Sequence, residues 1–220
     1  MKTYVRLLFL VGSLFALATA SSASTIKFAF AGYITDVSAL DPNSPFPLPV
    51  EFGTPFSGTY TFDSNSPDLI PGDPQTGTYS SSGGVFGMTL SLAGLDLSYG
   101  GVFISVGNDY PGPQDQYFAS YFENPTSDKP TGVELSLRLL DFTGLALSND
   151  GLPLDAPNLA AFQSSTIFFT DSFFEADGVT IDQVELAGQI TSIAVVPEPN
   201  SALLLITGLA VVGLILLHRP

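Results

Sequence analysis

Val133-Glu134-Leu135-Ser136-Leu137-Arg138-Leu139 alternates apolar and polar residues without a break. Successive side chains of an extended chain point to opposite faces, so this period of two predicts a strand with one buried and one wet face. The same period recurs on both sides of it. Toward the N-terminus, Val102, Ile104 and Val106 share a face, Phe56, Tyr60 and Phe62 alternate with Ser57, Thr59 and Thr61, and Ile26, Phe28, Phe30 and Ile34 alternate with Thr25, Lys27, Ala29 and Thr35. Met88, Leu90 and Leu92 change phase at Ala93-Gly94 and resume as Leu95 and Leu97. A two-residue turn there pairs Leu92 with Leu95 and Leu90 with Leu97, which predicts a hairpin. Toward the C-terminus come Ile167 and Phe169, then a long terminal strand pair over 179–195 with Gly188 as a bulge.

No segment keeps a helical period. The best helix candidate is 155–163, with Asp155 as its cap and Pro157 in its first turn. Many short strands between Gly, Pro, Asn and Asp turns predict an all-β fold, an antiparallel β-sandwich with a jelly-roll or barrel as variants. No internal repeat argues for a solenoid or propeller.

The chain has 220 residues, no cysteine and a single histidine, His218. That excludes disulfide frameworks, thiolate zinc sites and cysteine nucleophiles, and it excludes a Ser-His-Asp triad or a His-ligated metal within the domain. Lys and Arg number 6 against 21 Asp and Glu, a net charge of −15, yet only 12% of residues are charged, about half the usual share. The surface is therefore built from Ser, Thr, Asn, Gln and Gly. It offers no basic stripe for a phosphate backbone, so nucleic acid is not a partner.

Both ends differ from the middle. Lys2 and Arg6 precede an apolar run over 7–18, and Ala18-Thr19-Ala20 and Ser21-Ser22-Ala23 offer small-residue cleavage sites. This is the layout of a secretory signal peptide, 1–23, cleaved after Ala23. At the other end Pro197-Glu198-Pro199 precedes an uncharged run over 202–217, followed by His218-Arg219-Pro220. A helix of 16 residues spans about 24 Å, a minimal transmembrane anchor. Arg219 belongs on the cytoplasmic side, which leaves the domain outside the inner membrane. The two prolines hold Glu198 on an extended stalk that cannot join the helix.

Pro197-Glu198-Pro199, a short span carrying Gly208 and Gly213, and the terminal basic residue Arg219 together resemble the PEP-CTERM sorting signal. The resemblance implies recognition of Pro197, Glu198 and Pro199 by an exosortase-type processing enzyme, a membrane-anchored precursor whose tail is removed, and export to the cell surface or an extracellular polysaccharide matrix. It covers 197–220 and, loosely, the signal peptide. The intervening domain, 24–196, holds three basic residues (Lys27, Lys129, Arg138) against 20 acids, a net of −17.

Three groups within the domain bear on binding. Asp63, Asn65 and Asp68 have the oxygen-rich spacing of a calcium loop, as do Asp171, Glu175 and Asp177. Neither stretch has the Gly and distal Glu of an EF-hand, and Asx residues beside prolines ordinarily form turns. Ca²⁺ is the one cofactor that they suggest. Among 20 acids some pair meets the spacing of a glycosidase by chance, and no nucleophile-base pattern accompanies them, so the domain is not read as an enzyme. Tyr79, Tyr99, Tyr110, Tyr117 and Tyr121 are candidates to stack on sugars, Tyr110 foremost because it falls on a loop. The reading preferred for Tyr117 and Tyr121 is ordinary strand packing, with Phe118 and Phe122 on the core face. The expected function is that of an exported, surface or matrix-associated structural protein. The alternative is a carbohydrate-binding module for extracellular polysaccharide.

Overall fold

The computed structural model describes residues 25–39, 50–123, 131–174 and 181–197. Residues 25–196 belong to one compact unit. Its strands are β1 (Thr25–Ala39), β2 (Pro55–Asp63), β3 (Thr76–Ser81), β4 (Gly87–Leu92), β5 (Leu95–Gly100), β6 (Val102–Gly107), β7 (Asp115–Glu123), β8 (Thr131–Asp141), β9 (Ser164–Phe174) and β10 (Ile181–Val195). Among the described residues the fold is all-β: the ten strands form one antiparallel sheet in the order β3-β6-β7-β8-β9-β10-β1-β2-β4-β5.

The alternating segments become these strands. Leu135, Leu137 and Leu139 of β8 are completely buried, each stabilising the fold by about 1.5–3 kcal/mol. The hairpin has the expected register, Leu92 opposite Leu95 and Leu90 opposite Leu97. Ala93 and Gly94 take φ of 50° and 83°, the pair of positive values that a type I′ turn requires.

A sheet this wide can bury its apolar face only by curling on itself. Tyr60, Met88 and Tyr99 form a row in register across β2, β4 and β5, and β7 lies over that row. The Tyr60 and Tyr117 hydroxyls share a hydrogen bond of 2.9 Å, while the Tyr121 ring stacks on Tyr99 with centroids 4.7 Å apart. Four residues of β7 thus travel the distance from β2 to β5, so β7 crosses these strands steeply. The same geometry corrects the expectation for β7. Its register on β8 sets Tyr117 against Leu139 and Ala119 against Leu137, which puts those two in the core, while Phe122 is 61% exposed. A slip of one residue exchanges the faces of a strand, and the pairing with β8 decides which is inside.

Two β-bulges bend the longest pair. Along β1 and β10 the register skips Thr191 on one strand and Thr35 on the other. Each extra threonine donates its hydroxyl to a carbonyl of the partner strand, Thr191 to Ala31 at 3.2 Å and Thr35 to Ala187 at 3.3 Å. Bulges of this kind bend a strand and increase its twist. The expected strand pair over 179–195 is therefore a single strand over 181–195, bonded to β9 and β1, and Gly188 is not the bulged residue. A Cβ there would stand 2.6 Å from Phe56 Cε1 and 2.9 Å from Ile167 Cγ2, so Gly188 is the seat of an aromatic ring.

The helix expected over 155–163 is a single 3-10 turn, Leu159–Ala161, whose cap is Asn158 rather than Asp155. The stretch has no apolar stripe to dock as a helix, and so short a helix does not hold by propensity alone. Ala156, Leu159 and Phe162 instead press separately on the core.

Candidate functional site

Two neighbouring rows of outward positions across β10, β1, β2, β4 and β5 carry only short side chains. Register places Ala194, Ala29, Thr59, Thr89 and Ser98 in one row across the five strands. Ser192, Ala31, Ser57, Ser91 and Asp96 form the next row. Strands spaced about 4.8 Å apart make each row about 19 Å long. With no long side chain to fill it, this face forms an open trough of about 630 Å³. Thr59 and Thr89 bind each other, hydroxyl to hydroxyl at 2.9 Å, and Ser91 donates its hydroxyl to Asp96. Among the described residues Asp96 is the only charged one lining the trough, and Lys27 stands one row away, opposite Thr61.

A floor of hydroxyls and methyls over bare backbone can exchange hydrogen bonds with a polar, extended ligand and let it approach closely. Among the described residues lining it, Asp96 is the one carboxylate, and it accepts from the Ser91 hydroxyl. Nothing in the residue types marks these positions one by one. The signal is that ten successive outward positions on five strands are small, and it exists only once the strand order is known.

The outward face of β6 to β9 has the opposite character. Arg138 lies with its guanidinium 4.5 Å from the Phe168 ring centre and 6.0 Å from that of Phe118. Glu134 accepts from Nη2 at 2.6 Å and Ser136 from Nε at 3.1 Å. Phe103, in line with Ser120 and Ser136, is 43% exposed. Arg138 is thus held in place by its own neighbours.

The proposed calcium loop is a pair of turns. Asp63 Oδ1 accepts from the Asn65 N–H at 2.9 Å, and Asp68 Oδ1 accepts from the N–H groups of Ile70 at 3.0 Å and Thr78 at 2.9 Å. Among the described residues no three acidic or histidine side chains gather to hold a metal ion. Asp171 lies on β9, and Glu175 and Asp177 fall outside the described residues. Tyr110, 43% exposed, sits on the loop between β6 and β7, where its N–H bonds the Gln114 carbonyl at 2.8 Å. Pro197 is exposed at the end of the described chain, and Glu198, Pro199, Gly208, Gly213 and Arg219 lie outside it.

Sequence reasoning passed over two buried carboxylates, Asp115 and Asp141, which oppose each other across β7 and β8. Asp141 accepts from the Thr143 N–H at 2.8 Å and its hydroxyl at 2.6 Å through Oδ1, and from the N–H groups of Leu145 at 2.7 Å and Ala146 at 2.8 Å through Oδ2. Asp115 accepts from Asp109 N–H at 2.9 Å and Leu147 N–H at 2.7 Å. The pair anchors the start of the β8–β9 connection and the β6–β7 loop. These hydrogen bonds, that from the Thr143 hydroxyl foremost, hold the Asp141 carboxyl well below the usual range.

Comparison of the chain with protein-family profiles, with curated proteins and with solved structures finds no match.

Proposed function

We propose that this chain is an exported bacterial protein of the cell surface or extracellular matrix, whose β domain is a displayed body and whose C-terminal segment is a PEP-CTERM-type signal processed by an exosortase-type enzyme. The observation that supports this is the agreement of two boundaries of different origin. The compact unit holding the sheet runs from Thr25 to Val196, while both apolar runs and Pro197-Glu198-Pro199 lie beyond it in the sequence. In this reading 1–23 is a signal peptide, 202–217 is a transmembrane helix containing Gly208 and Gly213, and Arg219 holds the cytoplasmic end. The curled sheet is a β-sandwich with jelly-roll character, structural rather than enzymatic. Glu198→Ala is expected to leave a full-length, membrane-bound precursor where the natural chain yields a shorter product, as read by immunoblot of membrane and surface fractions. Normal maturation of that variant overturns the assignment.

The trough favours a second reading, in which the displayed domain binds extracellular polysaccharide. Hydroxyl-lined grooves match the donor and acceptor pattern of sugars, and an extended glycan fits a face about 19 Å long. Ser57→Tyr, on the exposed side of β2, places a ring in the trough without touching the core. It is expected to reduce polysaccharide pull-down at least about tenfold, or 1.4 kcal/mol, with Tyr110→Ala unaffected. Loss with Tyr110→Ala alone moves the site to the β6–β7 loop. Absence of binding by the natural chain leaves the structural reading.

A further inference from the structure

Asp171 is an anomaly in the interior. It lies on the inner side of β9, is only 8% exposed, and its Oδ1 finds no hydrogen-bond partner among the described residues. A buried carboxylate oxygen without a partner is costly. Val133 on β8 opposes both Asp171 on β9 and Glu123 on β7. The two acids therefore share one face, flanking Val133 at about two strand spacings, roughly 10 Å between backbones. Tyr121 donates its hydroxyl to Glu123 Oε2 at 3.2 Å. Tyr99, stacked on Tyr121 from the opposite wall, stands within electrostatic reach of Asp171, Tyr121 and Glu123 alike.

We infer that Asp171 and Glu123, with the hydroxyls of Tyr99 and Tyr121 beside them, hold a divalent cation of the calcium class at this point of the curled sheet. A proton on Asp171 would relieve one carboxylate, whereas a divalent cation answers both. Calcium accepts six to eight oxygens in irregular geometry and completes its shell with water, which suits two carboxylates and two phenols better than the strict octahedron of magnesium. A domain with a net charge of −17 concentrates such cations around itself. The site joins β5 to β7 and β9, so its occupation ties the two walls of the sheet together.

The test is a calcium titration of the full chain, stripped beforehand with a chelator. Saturating calcium is expected to raise Tm by about 5 °C or more and to change the tyrosine ultraviolet difference spectrum along the same binding curve. Asp171→Asn should lose both responses yet melt no lower than the natural chain in chelator, since the buried charge is gone. Glu123→Gln should weaken the apparent affinity at least about tenfold, or 1.4 kcal/mol. A natural chain whose Tm and spectrum ignore calcium overturns the proposal. So does an Asp171→Asn variant that still responds, because the ion would then bind elsewhere.

Discussion

Alanine at Gly32 is expected to cost the domain at least about 3 kcal/mol, although it adds one methyl group. Extra atoms forced into a packed interior ordinarily cost about 1–3 kcal/mol, and more where the neighbours are unable to move. At Gly32 the added Cβ would stand 2.0 Å from the Gln189 carbonyl oxygen and 2.6 Å from Phe56 Cζ. The first of these is backbone, held in register between the two bulges of β1 and β10, so relief means parting the pair that joins the two halves of the sheet. Against a total stability of about 5–15 kcal/mol this is a severe loss. Denaturant titration should show a lower midpoint with an unchanged slope. Gly72→Ala is the control, since a Cβ there meets nothing within 4 Å, and it should stay within about 0.5 kcal/mol of the natural chain. Equal midpoints for the two variants would show that β1 and β10 are not packed as described.

Asp141→Asn is the second large effect and has a distinct pH signature. The carboxylate receives four hydrogen bonds, three of them from backbone N–H groups. An amide keeps one acceptor oxygen and turns an NH₂ toward the remaining donors, so the segment 142–147 should detach and Tm should fall by on the order of 10 °C. Because the folded-state pKa is depressed, the stability that Asp141 contributes is fully present above the ordinary carboxyl value of 3.8 and is lost as pH falls below it toward the folded value. The gap in Tm between the natural chain and Asp141→Asn should be flat from about pH 5 to pH 8 and shrink as the pH is lowered past that value. A gap that holds constant down to pH 2.5 would mean that the Asp141 carboxyl titrates alike in the folded and the unfolded chain, and so is not stabilised by these donors.

Much of the sheet was legible in the residues. The 133–139 alternation became β8, and the Ala93-Gly94 turn took the expected register, because period and turn chemistry act between neighbours. The misplaced bulge was legible too, in a different feature. Apolar positions two apart, 184, 186, 188 and 190, are followed by Ile193, three residues after Ile190, and the skipped phase marks Thr191. Ile34 and Val37 bracket Thr35 in the same way. Gly188 drew attention because glycine often marks a bulge, while here it makes room for Phe56. The inner face of β7 was not legible, since Tyr117 and Phe118 are both large and aromatic, and only pairing with β8 separates them.

Composition and local pattern thus settled the all-β class, most strand segments, the acidity, and the absence of thiol and, within the domain, imidazole chemistry. These depend on which residues are present and on their near neighbours. Strand order, curl, the bare trough, the buried pair Asp115 and Asp141, and the stacking of Tyr99 on Tyr121 belong to the tertiary structure. Each is a contact between segments far apart in the chain, as between Tyr60 and Tyr117 or Thr35 and Ala187. The energy of such a contact is a property of the pair and appears in neither stretch alone.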